Sequence, residues 1–169
     1  MSRRGKAAAG SLVFFVVAPV LVAGVVPWLI GGWEPVGVWW LPLRVLGVVL
    51  ILTGGGVLIH SFFRFVTEGI GTPAPVAPTE HLVVGGIYRH VRNPMYLAVV
   101  AVVAGQALLF GDMVLTAYAG AVGLAMAAFV RWHEEPVLTR RFGDEYTAYR
   151  ANVPGWLPRV RPWEPGTPG

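Results

Sequence analysis

Cysteine is absent from this chain, and lysine occurs once, at Lys6. The first absence excludes disulfides, thiolate nucleophiles and cysteine–zinc sites. Charge of either sign is scarce: 13% of the 169 residues are charged, about half of the roughly 25% usual in a soluble domain. With 55% of residues hydrophobic, the composition is that of a membrane protein. The net charge of +4 is carried almost wholly by arginine. These arginines stand at the ends of apolar segments instead of forming a basic face on a soluble domain, so they mark topology and give no sign of a nucleic-acid partner. Seven tryptophans suit aromatic anchoring at two bilayer interfaces.

Four apolar stretches stand out. Residues 11–30, "SLVFFVVAPVLVAGVVPWLI", are long enough to span at about 1.5 Å per residue. "MSRRGK" ahead of them would also suit a signal peptide, but the run is longer than an ordinary signal core, which favours a retained anchor. A Gly/Trp/Pro loop follows. The second span covers 43–66, where "TGGG" would permit close helix packing. The third and fourth, 94–110 and 113–133, are joined at Gly111-Asp112 in a tight helical hairpin. The third is near the lower length limit and would run almost perpendicular to the membrane. Within it, Gln106 is positioned to bond across helices. No internal repeat is evident.

Arg3, Arg4 and Lys6 precede the first span, whereas 31–42 has neither Lys nor Arg. Arg64, Arg89 and Arg92 flank the next connection, the 111–112 turn has none, and six arginines from Arg131 to Arg161 follow the fourth span. The positive-inside rule puts both termini and the 67–93 loop in the cytoplasm. That loop is rich in Pro and Gly, yet "HLVVGGIY" calls for a packed setting, and loops of such length are usually functional. Beyond the fourth span, Leu138, Phe142, Tyr146, Tyr149 and Val153 recur at helical spacing opposite charged residues. This predicts an amphipathic helix lying on the inner leaflet, with Gly143 placed to break it.

The conspicuous polar groups fall on one side of the membrane. In "GGIYRHVRNPMY", Asn93-Pro94 is a strong helix start, with Asn at the N-cap and Pro in the first helical position. Its free N–H groups, with Arg89 and Arg92, make an anion site. Gly85-Gly86 would let backbone approach a ligand closely, and Tyr88 and Tyr96 supply flat faces. The second half is "RWHEEP", where an apolar helix is expected to end on Glu134 and Glu135. Carboxylates there would face the negative end of the helix dipole and must be compensated. Adjacent helical residues point about 100° apart, so the two cannot serve one point. Each half alone could be structural, a capped helix and two interfacial glutamates. Together they suit a zwitterionic ligand with an aromatic base, such as an amino acid joined to a nucleoside.

"GGIYRHVRNPMY", a hairpin, and then "EEPVLTRRFGDEYTAYRANVPGWLPR" resemble the membrane-embedded methyltransferase superfamily, which contains isoprenylcysteine carboxyl methyltransferases and phospholipid N-methyltransferases. The elements carrying the likeness are Arg-His-Pro-x-Tyr, a Glu-Glu pair and a Phe-Gly-x-x-Tyr-x-x-Tyr tail, over about residues 69–162. The resemblance implies an all-α integral membrane protein of about four transmembrane helices, with a cytoplasmic cofactor-binding loop and a C-terminal amphipathic helix. It divides the chain into a two-span region, 1–66, a methyltransferase core, 67–162, and a tail, 163–169. It also implies that S-adenosylmethionine binds between the two motifs. The residues carried over as cofactor-binding are Gly86, Tyr88, His90, Arg92, Asn93, Pro94, Tyr96, Glu134 and Glu135. Asn93 stands where histidine is common, and His90 lies three residues earlier. One glutamate would meet the α-ammonium or ribose hydroxyls, and the other an arginine that shapes the site.

The implied function is methyl transfer to a lipophilic, membrane-associated acceptor, an isoprenylcysteine-like carboxylate or a lipid amine. Arg131, His133 and Glu135 are the catalytic candidates: a carboxylate acceptor needs no general base, whereas an amine or hydroxyl would draw on a histidine or glutamate. Arg131 or Arg140 could orient an anionic acceptor. The four histidines make no zinc or haem pattern, and no metal is expected. Expected partners are the bilayer and a lipid or small lipophilic acceptor, with no nucleic acid. The excess of arginine over lysine suggests a GC-rich bacterial genome, and with it the inner membrane. An inactive scaffold is the alternative from another class, although it has no use for the glutamate pair. A transporter is disfavoured because no span carries an ionisable group near its middle.

Overall fold

The computed structural model describes residues 17–35, 40–68 and 81–164. The basic residues before the first apolar run, the start of that run, residues 69–80 of the long connection and residues 165–169 of the tail lie outside the described residues. Among the described residues the chain is all-helical, without a strand. Helix α1 is Val17–Gly31, α2 is Leu41–Glu68, α3 is Pro94–Phe110, α4 is Met113–Phe129 and α5 is Glu135–Asn152. One 3-10 turn, Gly86–Arg89, precedes α3. Two stretches, Leu41–Arg64 and Met113–Asn152, are long and apolar enough to cross a membrane, whereas α1 and α3 are apolar but shorter. The 17 residues of α3 reach about 25 Å, against a hydrocarbon core of about 30 Å.

Helix α3 is the centre of the bundle, touching α1, α2 and α4. Its contact with α2 is backbone on backbone. A Cβ on Gly47 would stand 2.6 Å from the Gly105 carbonyl oxygen, and one on Gly105 would stand 2.7 Å from that of Gly47. Seven residues along α2, a Cβ on Gly54 would stand 2.9 Å from the Ala98 carbonyl oxygen. Small residues at two-turn intervals let the helices close without polar glue. Of the "TGGG" run, Gly54 does this, while Gly55 and Gly56 face open space.

Helix α1 joins through hydrogen bonds. Pro27 has no N–H, so the Ala23 carbonyl loses its normal intrahelical donor. The backbone adapts with a π turn, Leu21–Val25, in which Val26 N–H donates to the Leu21 carbonyl. Gln106 of α3 donates from Nε2 to the Ala23 carbonyl at 2.6 Å and accepts from Trp33 Nε1 at 2.9 Å. Tyr118 of α4 donates to the Val22 carbonyl at 3.0 Å. The α3–α4 hairpin turns on Gly111 at φ +72°. Asp112 then caps α4 by accepting from the N–H groups of Val114 and Leu115.

The fourth apolar helix does not end at the glutamate pair. It continues through a second π turn, Val130–Glu134, directly into α5. Pro136 plays the part of Pro27, and Glu135 N–H donates to the Val130 carbonyl. Glu134 and Glu135 therefore sit within continuous helical backbone, and the expected penalty of a C-terminal dipole does not arise. Gly143, at φ +52° and ψ −121°, kinks α5 in a conformation open to glycine. The apolar face of α5 is not left for the inner leaflet either: Tyr146, Tyr149 and Val153 are buried against Leu82, Val84, Leu138, Phe142 and Trp163. Protein side chains on both flanks offer a drier, fixed partner for that face.

Candidate functional site

The site is built around Arg92. Its guanidinium donates from Nη1 to Glu135 Oε1 at 2.9 Å and to Tyr146 Oη at 3.1 Å, and from Nε to the Val153 carbonyl at 2.9 Å. Main-chain bonds fix the segment that carries it: Arg92 N–H donates to the Pro154 carbonyl and Asn93 N–H to that of Gly155. Further along, Arg159 N–H donates to the His90 carbonyl and Trp163 N–H to that of Arg89. Arg89 in turn donates from Nε to the Trp163 carbonyl and pairs with Glu164 at 2.9 Å. Residues 153–164 thus form a strap stitched to the segment before α3, an element for which sequence periodicity gives no signal.

Glu135 is the electrostatic hub. It is buried, and besides Arg92 its other oxygen lies 3.2 Å from Arg150 and 3.6 Å from Arg131. A buried carboxylate must be paired to stay ionised, and three arginines surround this one. Glu134, one residue earlier, has a different fate. It accepts a hydrogen bond from Tyr96 Oη at 2.9 Å, and among the described residues it has no ion pair. Glu134 lies just beyond the apolar run of α4. Burial raises its carboxyl above the ordinary glutamate value; the Tyr96 hydrogen bond and neighbouring His133 pull it down, and Glu135 adds to the rise.

Both glutamates border a cleft of about 70 Å³, together with Tyr88, Arg92, Asn93 and Tyr146. Asn93 stands at the N-cap of α3, with Pro94 in the first turn, but its side chain makes no cap hydrogen bond. Its Nδ2 is buried without a hydrogen-bond partner, and the residue forms part of the cleft wall. A buried amide left unpaired costs about 1–3 kcal/mol, so a ligand acceptor there has an unmet donor to satisfy.

The expected site residues divide into two sets. Tyr88, Arg92, Asn93, Glu134 and Glu135 border the cleft, and Tyr96 reaches it through Glu134. Pro94 starts α3 but borders a groove on the other side. His90 turns its Nδ1 to the Arg159 carbonyl at 2.8 Å. Gly86, at φ +56°, lies against His60 and Arg64 of α2. His133 is exposed, its ring 5.0 Å from that of Phe129. Arg131 is largely exposed and reaches the site only through Glu135. Tyr146 and Tyr149 were read in sequence as part of an apolar face and of the Phe-Gly-x-x-Tyr-x-x-Tyr tail, with no site role; here Tyr146 borders the cleft beside Arg92, and Tyr149 donates to the Tyr88 carbonyl at 2.7 Å.

The phospholipid methyltransferase family model matches residues 43–145, more than half of the chain. The match contains α2 from its third residue onward, the Arg92–Asn93 segment and the glutamate pair, and stops one residue before Tyr146. A protein-S-isoprenylcysteine O-methyltransferase of Schizosaccharomyces pombe is 34% identical over 82 residues. That alignment takes in 48% of this chain and 35% of the yeast protein, so the likeness spans about a third of that relative. No solved structure matches the chain.

Proposed function

Since the chain belongs to the phospholipid methyltransferase family, we propose that it is an S-adenosylmethionine-dependent methyltransferase whose acceptor is a lipophilic molecule held in the bilayer, either an isoprenylcysteine-like carboxylate or a lipid amine. The observation that carries this reading is the difference between adjacent glutamates at the cleft border: Glu135 is held by three arginines, whereas Glu134, hydrogen-bonded to Tyr96, has no ion pair among the described residues, and Asn93 beside them has a buried Nδ2 with no hydrogen-bond partner.

The donor set suits the cofactor. Glu134 provides negative charge for cationic groups, and Asn93 Nδ2 provides a hydrogen bond for a carboxylate or hydroxyl. Arg92, fixed by Glu135, Tyr146 and Val153, adds positive charge that cannot swing away. When bound, the cofactor supplies a methyl group on a positively charged sulfur. The chain's part is to hold that group in line with an acceptor and to keep water out, which can lower a barrier by about 7–11 kcal/mol in favourable cases. A carboxylate acceptor needs no proton moved. An amine acceptor must lose one, and Glu134, its carboxyl raised by burial, is the cleft group suited to receive it. At about 70 Å³ the cleft receives the charged end of such a ligand and must widen for the remainder. We read the four apolar helices as membrane spans, with the cleft and both termini on the cytoplasmic side of a bacterial inner membrane, 67–162 as the core and 163–169 as the tail.

Calorimetric titration of S-adenosylhomocysteine into the detergent-purified protein tests the reading. Saturable binding is expected, weakened about 10- to 150-fold in Glu134→Gln, the range for losing a hydrogen bond to a charged group. A folded wild type that binds nothing rules the reading out.

A further inference from the structure

The segment Val91–Pro94 has two faces. Arg92 and Asn93 border the polar cleft, whereas Val91 and Pro94 border a second hollow, an open groove of about 170 Å³ between α2 and α3. Gly54 and Ala98, whose close approach brings the helices together, line it. Pro158, from the strap, closes one side.

The chemistry of this groove is uniform. Its one polar side chain is Thr53, whose hydroxyl already donates to the Val49 carbonyl at 2.6 Å. With no free polar side chain to offer, the groove solvates poorly in water and suits hydrocarbon. The groove lies along Leu41–Arg64, a stretch long and apolar enough to cross a membrane, and Val49, one turn before Thr53, is exposed, so in a bilayer the adjoining medium is acyl chain. The wall segment, stitched to the strap by main-chain bonds, separates this hollow from the cleft. An occupant of the groove would meet Val91 and Pro94, whereas one of the cleft would meet Arg92 and Asn93.

We propose that the groove is a binding site for one acyl chain of a bilayer lipid, which packs against Val91 and Pro94 and supports from behind the segment that carries Arg92 and Asn93. The proposal rests on α2 being embedded in the membrane, and not on the identity of the cleft's ligand.

The test is photolabelling of the full chain in phosphatidylcholine nanodiscs doped with a phosphatidylcholine bearing a diazirine on one acyl chain, with adducts mapped by mass spectrometry. Adducts are expected to concentrate on Val57, Leu97 and Ala101, above those on the exposed Leu52 and Leu124. Val57→Phe, which fills the groove, is expected to lower groove adducts about tenfold, the factor for removing about two methylenes of contact, and to leave those on Leu124 unchanged. Val57→Ala, which enlarges the groove, keeps or raises them, so a Phe variant that fails to fold does not end the test. Labelling of Leu52 and Leu124 without the groove, or groove labelling indifferent to Val57→Phe, overturns the proposal. Absence of label from every position of a folded chain overturns the membrane reading beneath it.

Discussion

Two π turns in this chain arise from the same sequence event and come to opposite ends. Leu21–Val25 stands ahead of Pro27 and Val130–Glu134 ahead of Pro136, and in each the residue before the proline bonds five back. In α1 the disturbed carbonyls are covered by Gln106 and Tyr118, and the turn becomes a joint between helices. Between α4 and α5 the turn leads into two carboxylates at the border of a cleft, one locked by arginines and one hydrogen-bonded to Tyr96. What a backbone irregularity contributes therefore depends on what its side chains meet, and π bulges are frequent at functional sites.

The comparison can be broken most severely at Glu135. Glu135→Ala leaves Arg92 buried without its carboxylate, which is expected to remove about 3–5 kcal/mol of stability, seen as a large fall in the thermal midpoint in detergent. Glu134→Gln, which weakens ligand binding as above, should leave that midpoint nearly unchanged; equal destabilisation by both substitutions would erase the distinction between the glutamates. At the first π turn, Gln106→Leu strands the Ala23 carbonyl and the Trp33 N–H, and a loss of about 1–2 kcal/mol is expected. S-adenosylhomocysteine affinity should not change, as measured by the same titration.

The smallest effect is the most specific. A carboxyl raised in the folded state binds more protons there than in the unfolded chain, so its contribution to stability falls as pH rises through that raised value. Binding of a cationic ligand runs the other way, because protonation removes the charge it needs. Affinity should therefore weaken as pH falls through the raised Glu134 value while stability gains slightly, and Glu134→Gln should flatten both trends. Parallel trends in the wild type would refute the assignment of Glu134 as the ligand-facing carboxylate.

Much of this arrangement was legible in the sequence because it depends on local chemistry. Proline and asparagine mark the start of α3, Gly111-Asp112 marks the hairpin, Gly143 marks the kink, and Gln106 in an apolar run announces a cross-helix bond. The glutamate pair and Arg92 were visible as the charges that had to be reconciled. What stayed hidden is non-local. The continuation of α4 into α5 depends on a π turn, which hydrophobic periodicity does not encode. The apolar face of α5 reads equally well against lipid or protein, and only the presence of Leu82, Val84 and Trp163 decides it. Asn93 is a residue type favoured at caps, yet its side chain makes no cap bond and the residue borders the cleft. His90 and His133, attractive as proton carriers by residue type alone, are turned to the strap and to Phe129.

The strap has a consequence for the order in which the molecule is made. Arg89 is held by the Trp163 carbonyl, 74 residues further along the chain, and Arg92 by Val153, 61 residues on. During synthesis the apolar helices can enter the membrane and pair while these partners are still unmade, at a pace of about 5–20 residues per second. The cleft is completed only once residues 153–164 have been made, so a nascent chain passes seconds with its helices formed and the segment that carries Arg92 still unheld.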